Sequence, residues 1–90
     1  MFYVYVLESA RSLSWYIGFT ADLRKRFDRH NANGNVSTAH KGPWKIIYYE
    51  AYLEEKDAIG REKFLKSGSG WRYLKKQLQR YLAGRPTPSA

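Results

Sequence analysis

Phe2-Tyr3-Val4-Tyr5-Val6-Leu7-Glu8 is apolar or aromatic on both sides of an extended chain. Successive strand residues point to opposite faces, so Phe2, Val4 and Val6 share one side and Tyr3, Tyr5 and Leu7 the other. Such a strand must be covered twice, which predicts a central position in a sheet. The polar run Ser9-Ala10-Arg11-Ser12-Leu13-Ser14 follows, then a second apolar run, Trp15-Tyr16-Ile17-Gly18-Phe19. That spacing predicts an antiparallel hairpin. A third strand is predicted over Lys45 to Tyr52, introduced by Pro43-Trp44 and rich in β-branched and aromatic residues.

The remaining segments read as helices. Thr20 or Asp22 can cap a helix whose buried side carries Leu23 and Phe27, and Gly34 is expected to stop it. Asn35 to Gly42 is polar and without periodicity. Glu54 to Lys66 predicts a second helix, broken by Ser67-Gly68-Ser69-Gly70. Trp71, Leu74, Leu78, Tyr81 and Leu82 then define an amphipathic helix, with Lys75, Lys76, Gln79 and Arg80 on its other face. Gly84 ends that helix, and residues 85–90 are expected to be a disordered tail. The order β-β-α-β-α-α gives an α/β fold of the α+β kind, a small antiparallel sheet with packed helices, as a single domain over 1–84.

Composition narrows the function. Ninety residues allow one domain with a modest core. The absence of cysteine excludes a disulfide framework and a thiolate metal site. No apolar run approaches the roughly 20 residues that span a bilayer. Met1 to Leu7 lacks the basic flank and small-residue cleavage site of a signal peptide, so a cytoplasmic protein is expected. Sixteen basic residues face eight acidic ones, for a net charge of +8. No acidic residue follows Glu62, whereas Lys63, Lys66, Arg72, Lys75, Lys76, Arg80 and Arg85 do. A field of this sign attracts polyanions, with nucleic acid ahead of an anionic membrane surface. Aromatic residues make up 17% of the chain and include eight tyrosines. Most are expected in the core and sheet, and a few can stack on bases.

Glu62 is the residue out of place. Ala58, Glu62 and Leu65 share one helical face, and a carboxylate between apolar neighbours needs compensation. A divalent metal or a fixed arginine supplies it. Arg26 and His30 lie one helical turn apart, just after the strand bearing Tyr16 and Gly18. Carboxylate, arginine, histidine and tyrosine on a basic chain point to phosphate chemistry.

These residues resemble the GIY-YIG nuclease family. Tyr3-Val4-Tyr5 stands at the first motif, with Tyr3 in place of the family's glycine, and Tyr16-Ile17-Gly18 matches the second. Arg26 follows at the family's spacing, then His30. Ala58-Ile59-Gly60-Arg61-Glu62 resembles the helix that carries the metal-binding glutamate. Ser67 and Ser69 lie where homing endonucleases of the family use an asparagine. The likeness covers residues 2 to 80 and is greatest to the small stand-alone members. It implies a three-stranded antiparallel sheet flanked by helices, and hydrolysis of DNA phosphodiesters with one divalent ion, magnesium or manganese.

On that basis each residue has an expected part. Glu62 would hold the metal, since magnesium keeps several waters and needs only one or two carboxylates. The competing reading is a structural pair with Arg61 or Arg26. Arg26 would grip the scissile phosphate through paired N–H donors, or else be one more exposed helix arginine beside Arg24, Lys25 and Arg29. Tyr5 and Tyr16 would orient the attacking water, and His30 would accept or relay a proton. The other tyrosines read as structural. His40 can touch phosphate, and Thr20 and Gly18 are expected to shape the turn that presents the site. Lys63, Lys66, Arg72, Lys75, Lys76 and Arg80 would guide the nucleic-acid backbone. The expected protein is a structure-specific or nonspecific DNA endonuclease, with a monomer favoured. Two alternatives stand beside it. One is a catalytically silent nucleic-acid-binding module of the same fold, and the other a structural protein whose basic surface meets a protein partner.

Overall fold

The computed structural model describes residues 1–85, so Pro86 to Ala90 of the expected tail lie outside the described residues. The elements are β1 (Phe2–Ser9), β2 (Trp15–Thr20), α1 (Leu23–Asn31), β3 (Trp44–Tyr52), α2 (Glu55–Lys66), α3 (Gly68–Gln77) and α4 (Gln79–Gly84). The strands form one antiparallel sheet in the order β2-β1-β3. The doubly apolar β1 is central, and Val4 through Leu7 are fully buried. Val4 and Val6 pack with Ile17 under Ala58 and Leu65 of α2 and Leu74 of α3. Tyr5 and Leu7 pack with Trp44 on the other face, under Leu23 and Phe27 of α1. Two thin apolar layers sandwich the sheet, and α1 and α2 lie on opposite sides of it. Among the described residues no helix is long and apolar enough to cross a membrane.

Side-chain caps set the helix ends. Asp22 rather than Thr20 caps α1, accepting a bond from the Lys25 N–H at 3.0 Å. Thr20 instead braces Asp22, accepting from its N–H at 3.1 Å. At the other end Asn33, not Gly34, takes the left-handed conformation, with φ of 62°. The Asn33 and Gly34 N–H groups then bond to the carbonyls of His30 and Arg29 at 3.2 and 2.8 Å, a Schellman closure. Asn tolerates this backbone because its short polar side chain bonds locally; here its Oδ1 accepts from the His40 N–H at 2.9 Å.

The C-terminal half departs from expectation twice. The Ser-Gly-Ser-Gly run breaks the helix for only one residue, Ser67, whose hydroxyl caps α3 by accepting from the Gly70 N–H at 3.1 Å. A Cβ on Gly70 would sit 1.7 Å from the Phe64 carbonyl oxygen, so the junction of α2 and α3 requires glycine. The expected last helix is two helices, parted at Leu78 with φ −102° and ψ 19°. Beyond that bend α4 delivers Tyr81 to Glu8, a fully buried carboxylate on β1. Glu8 accepts from Tyr81 OH at 2.6 Å and from Trp15 Nε1 at 2.9 Å, and it pairs with Arg85. Arg85, read as tail, is thus tied to the central strand, and a charge that would be costly alone is satisfied.

Candidate active site

The α1 face of the sheet carries Tyr5 from β1 and Tyr16 and Gly18 from β2. Tyr5 stands directly opposite Gly18 in the register. A Cβ at Gly18 would lie 2.4 Å from both Cζ and the hydroxyl oxygen of Tyr5. No glycine in the described residues has positive φ. Gly18 is therefore required by the ring that lies across it, not by turn conformation as the sequence suggested.

Behind the rings runs a buried hydrogen-bond chain. The Tyr5 hydroxyl is 2.8 Å from His30 Nε2, and His30 Nδ1 is 2.6 Å from Thr38 Oγ1. Tyr5, His30 and Thr38 are all wholly inaccessible. The Tyr16 ring is 4.9 Å from His30 and 6.3 Å from Tyr5, centroid to centroid. Tyr16 is partly exposed, and its hydroxyl has no hydrogen-bond partner among the described residues. Burial pushes the Tyr5 phenol well above the ordinary tyrosine value. The neighbouring Tyr16 adds to this, Arg26 works against it, and the Glu62 carboxylate raises it further. Burial also lowers the His30 imidazole, helped by the positive charges of Arg26 and Arg29. At neutral pH the pair is therefore an un-ionised phenol against a neutral imidazole.

Arg26 is half-buried on α1, close enough to act on both Tyr5 and His30. It lines a shallow depression together with Thr20, Ala21, Asp22, Lys25 and Arg29. Lys25 and Arg29 are cations that the sequence reading passed over as helix surface. Thr38 was also missed, because a polar loop gives no sign of which hydroxyl will be buried.

Glu62 comes from α2, on the far face, yet its charge reaches Tyr5. Its side chain is 21% exposed rather than buried, and Lys66 Nζ lies 3.2 Å away on the same helix. The structural alternative with Arg61 is not what forms. Arg61 instead makes a two-pronged contact with Glu50, Nε to Oε1 at 2.9 Å and Nη2 to Oε2 at 3.1 Å. No ion pair joins Glu62 to Arg26 among the described residues. Nor do the described residues contain a group of three or more metal-ligating side chains. A single, half-buried carboxylate suits magnesium, which retains most of its water, and does not suit a metal needing an all-protein cage.

Lys63, Lys66, Arg72, Lys75, Lys76 and Arg80 are all exposed. Lys75 sits over the Trp71 ring at 5.8 Å, and Arg72 reaches Ser69 Oγ at 3.4 Å. Helix α3, which carries Arg72, Lys75 and Lys76, packs on the Val4–Val6 face, and α4, which carries Arg80, is tied to Glu8 through Tyr81, so those four are not gathered beside Tyr16 and Arg26. His40, the other histidine, is exposed in the loop with φ of 63°.

The family profile described as the GIY-YIG catalytic domain matches residues 1–81. A UPF0213 protein of Streptococcus pneumoniae serotype 4 is 40% identical over 65 residues, covering 71% of this chain and 65% of the relative. A UPF0213 protein of Clostridium perfringens is 37% identical over 67 residues, 73% of this chain and 71% of the relative. The match thus spans slightly less than two thirds of the Streptococcus relative's length. The solution NMR structure of a UPF0213 protein from Bacillus halodurans superposes with a TM-score of 0.52 at 32% identity, covering 93% of this chain and 88% of that one. Sheet order, motif positions and family match together place this chain in the GIY-YIG family, whose domains are of nuclease type.

Proposed function

We propose that this domain is an endonuclease that hydrolyses DNA phosphodiester bonds using one divalent ion, magnesium or manganese. The observation that carries the reading is the buried Tyr5–His30–Thr38 chain, on whose phenol both the Arg26 and the Glu62 charge act. Buried, un-ionised proton donors behind an accessible phenol and a half-buried arginine suit a phosphate, and Glu62, carried by α2 from the other side of the sheet, would bring the cation.

Arg26 binds non-bridging oxygens of the scissile phosphate through paired N–H donors and stabilises the charge that accumulates there. Tyr16, the accessible phenol, accepts a hydrogen bond from the attacking water and orients it toward phosphorus. Tyr5 keeps its proton, because its pKa lies far above neutral. With His30 protonated on Nδ1, that nitrogen donates to Thr38 Oγ1 and Nε2 accepts from the Tyr5 hydroxyl. His30 and Tyr5 are thus positioning residues that fix the floor beneath Tyr16. Glu62 would hold the ion, which when bound supplies neutralisation of the leaving oxygen.

The test is Glu62→Gln, with magnesium or with chelator, on single-stranded, branched and flapped DNA. The variant keeps its shape and melting temperature. Its cleavage rate falls by about a hundredfold or more, the scale seen when a transition-state charge loses its partner, and DNA binding survives. Full magnesium-dependent cleavage by Glu62→Gln would end this mechanism. Wild-type protein that binds but never cuts would favour the silent module.

A further inference from the structure

The α1 face of the sheet is only half covered. Leu23 and Phe27 roof the end that holds Leu7, Trp44 and Ile46. At the other end Tyr49 stands opposite Tyr5 in the register, and Tyr3 opposite Ala51. Tyr49 is 56% exposed. Its ring meets Tyr3 edge to face at 6.1 Å and 60°. Ala51, opposite Tyr3, is small and exposed. Exposure of Tyr49 is not a general habit of β3, because Tyr48 and Tyr52, on the opposite face, anchor their hydroxyls to Glu50. The Tyr3 and Tyr49 hydroxyls have no side-chain hydrogen bonds among the described residues. An exposed Tyr49 ring, with the half-buried Tyr3 ring against it, thus stands one strand from Tyr5, on a chain of net charge +8.

We propose that Tyr49, buttressed by Tyr3, is a stacking platform for an unpaired nucleobase adjoining the phosphate bound at Arg26, so that the preferred substrate is single-stranded or flapped DNA. This rests on the reading of the site as one that handles a DNA phosphate. Directly opposed residues on neighbouring antiparallel strands have Cα atoms about 4.5–5.5 Å apart, so the platform begins one strand away from the Tyr5 floor. Every base offers a π-face to an aromatic ring, and the cationic surroundings attract its backbone. Bases inside a duplex already stack on one another and cannot present that face. The substrate must therefore carry an unpaired nucleotide at this point.

The experiment measures fluorescence anisotropy of labelled single-stranded, flapped and blunt duplex DNA in chelator, at one salt concentration. Tyr49→Thr removes the ring while keeping a strand-favouring residue, and Tyr49→Phe keeps the ring while removing the hydroxyl. Tyr49→Thr is expected to weaken single-strand and flap binding by about fivefold to a hundredfold, the range for losing one base–aromatic stack. Blunt duplex binding should stay unchanged, and Tyr49→Phe should behave as wild type on all three. Unchanged single-strand affinity in Tyr49→Thr overturns the proposal. So does an equal loss on blunt duplex, or a loss in Tyr49→Phe matching that in Tyr49→Thr. A dimer in sedimentation that Tyr49→Thr converts to monomer also overturns it, since the face would then pair two copies. Melting temperatures confirm that each variant is folded. No cleavage occurs in chelator, so failure here is separate from failure of the Glu62→Gln test.

Discussion

Arg26 acts on both buried partners of the site, opposing the rise of Tyr5 and deepening the fall of His30. Arg26→Lys separates its charge from its shape. Lysine keeps the cation but loses the planar fork that bonds two phosphate oxygens at once. Cleavage should fall about a hundredfold or more, by analogy with removing one preorganised donor from a developing oxyanion. DNA affinity in chelator should change little, and single-turnover rates beside anisotropy distinguish the two. Equal loss of binding and rate would make Arg26 a simple anchoring charge. That Arg26 and His30 share one turn of a helix just after the strand of Tyr16 was legible in the sequence, because spacing within a helix turn fixes a face; the same spacing overstated the burial of Glu62. Thr38 was not legible, because its bond to His30 depends on how an aperiodic loop folds back. Glu8 was equally hidden, since its partners Tyr81 and Arg85 come from the far end of the chain.

The joint between α2 and β3 rests on Glu50. Tyr48 and Tyr52 donate their hydroxyls to it, and Arg61 clamps it across the two elements. Arg61 also lies over the Phe64 and Tyr73 rings, at 5.2 and 4.7 Å, which ties α3 into the same cluster. Burial alone would raise the Glu50 carboxyl, but the bonds from Arg61, Tyr48 and Tyr52 outweigh it and hold the carboxyl below its ordinary value. The Tyr48 and Tyr52 phenols rise to about 12 in return, through burial and the carboxylate they face. A depressed folded-state value means that Glu50 stabilises the fold at neutral pH and loses that contribution as pH falls through it. Glu50→Gln should lower stability at neutral pH by about 1–3 kcal/mol, the cost of weakening a charged buried bond. The gap should close as pH drops below the carboxylate range, which denaturant melts of both proteins at several pH values will measure. A gap independent of pH would remove Glu50's charge from the account. Sequence patterning found the strands, which are rich in aromatic and β-branched residues, and the extent of α2, which is bounded by breakers. It overran the bend at Leu78 and read Ser67 to Gly70 as loop, because caps and helix-to-helix approaches are set by tertiary contact rather than composition.

Charge on the whole molecule is divided between two sides of the sheet. Arg24, Lys25, Arg26 and Arg29 belong to α1, on the face of Tyr16, whereas Arg72, Lys75, Lys76 and Arg80 belong to α3 and α4 behind it. A single duplex or strand threaded past Arg26 meets the first set at close range. The second set acts on it chiefly through the long-range field, which salt screens over about 8–10 Å. Affinity should therefore fall steeply with salt, by a log–log slope of about 0.9 for each neutralised phosphate. The reversals Arg24→Glu with Lys25→Glu and Lys75→Glu with Lys76→Glu and Arg80→Glu then separate the faces. All five side chains are exposed, so both variants should fold. Reversal on α3 and α4 should weaken binding to every DNA alike and slow association, leaving the rate of bound substrate intact. Reversal on α1 should flatten the salt slope and also cut the single-turnover rate, because the strand is no longer held against Arg26 and Tyr16. If instead the α3–α4 variant alone loses the rate, the nucleic acid runs over the other face and Glu62, not Arg26, marks its path. Affinity that ignores salt in the wild type would remove nucleic acid from the account and leave a protein partner for this basic surface.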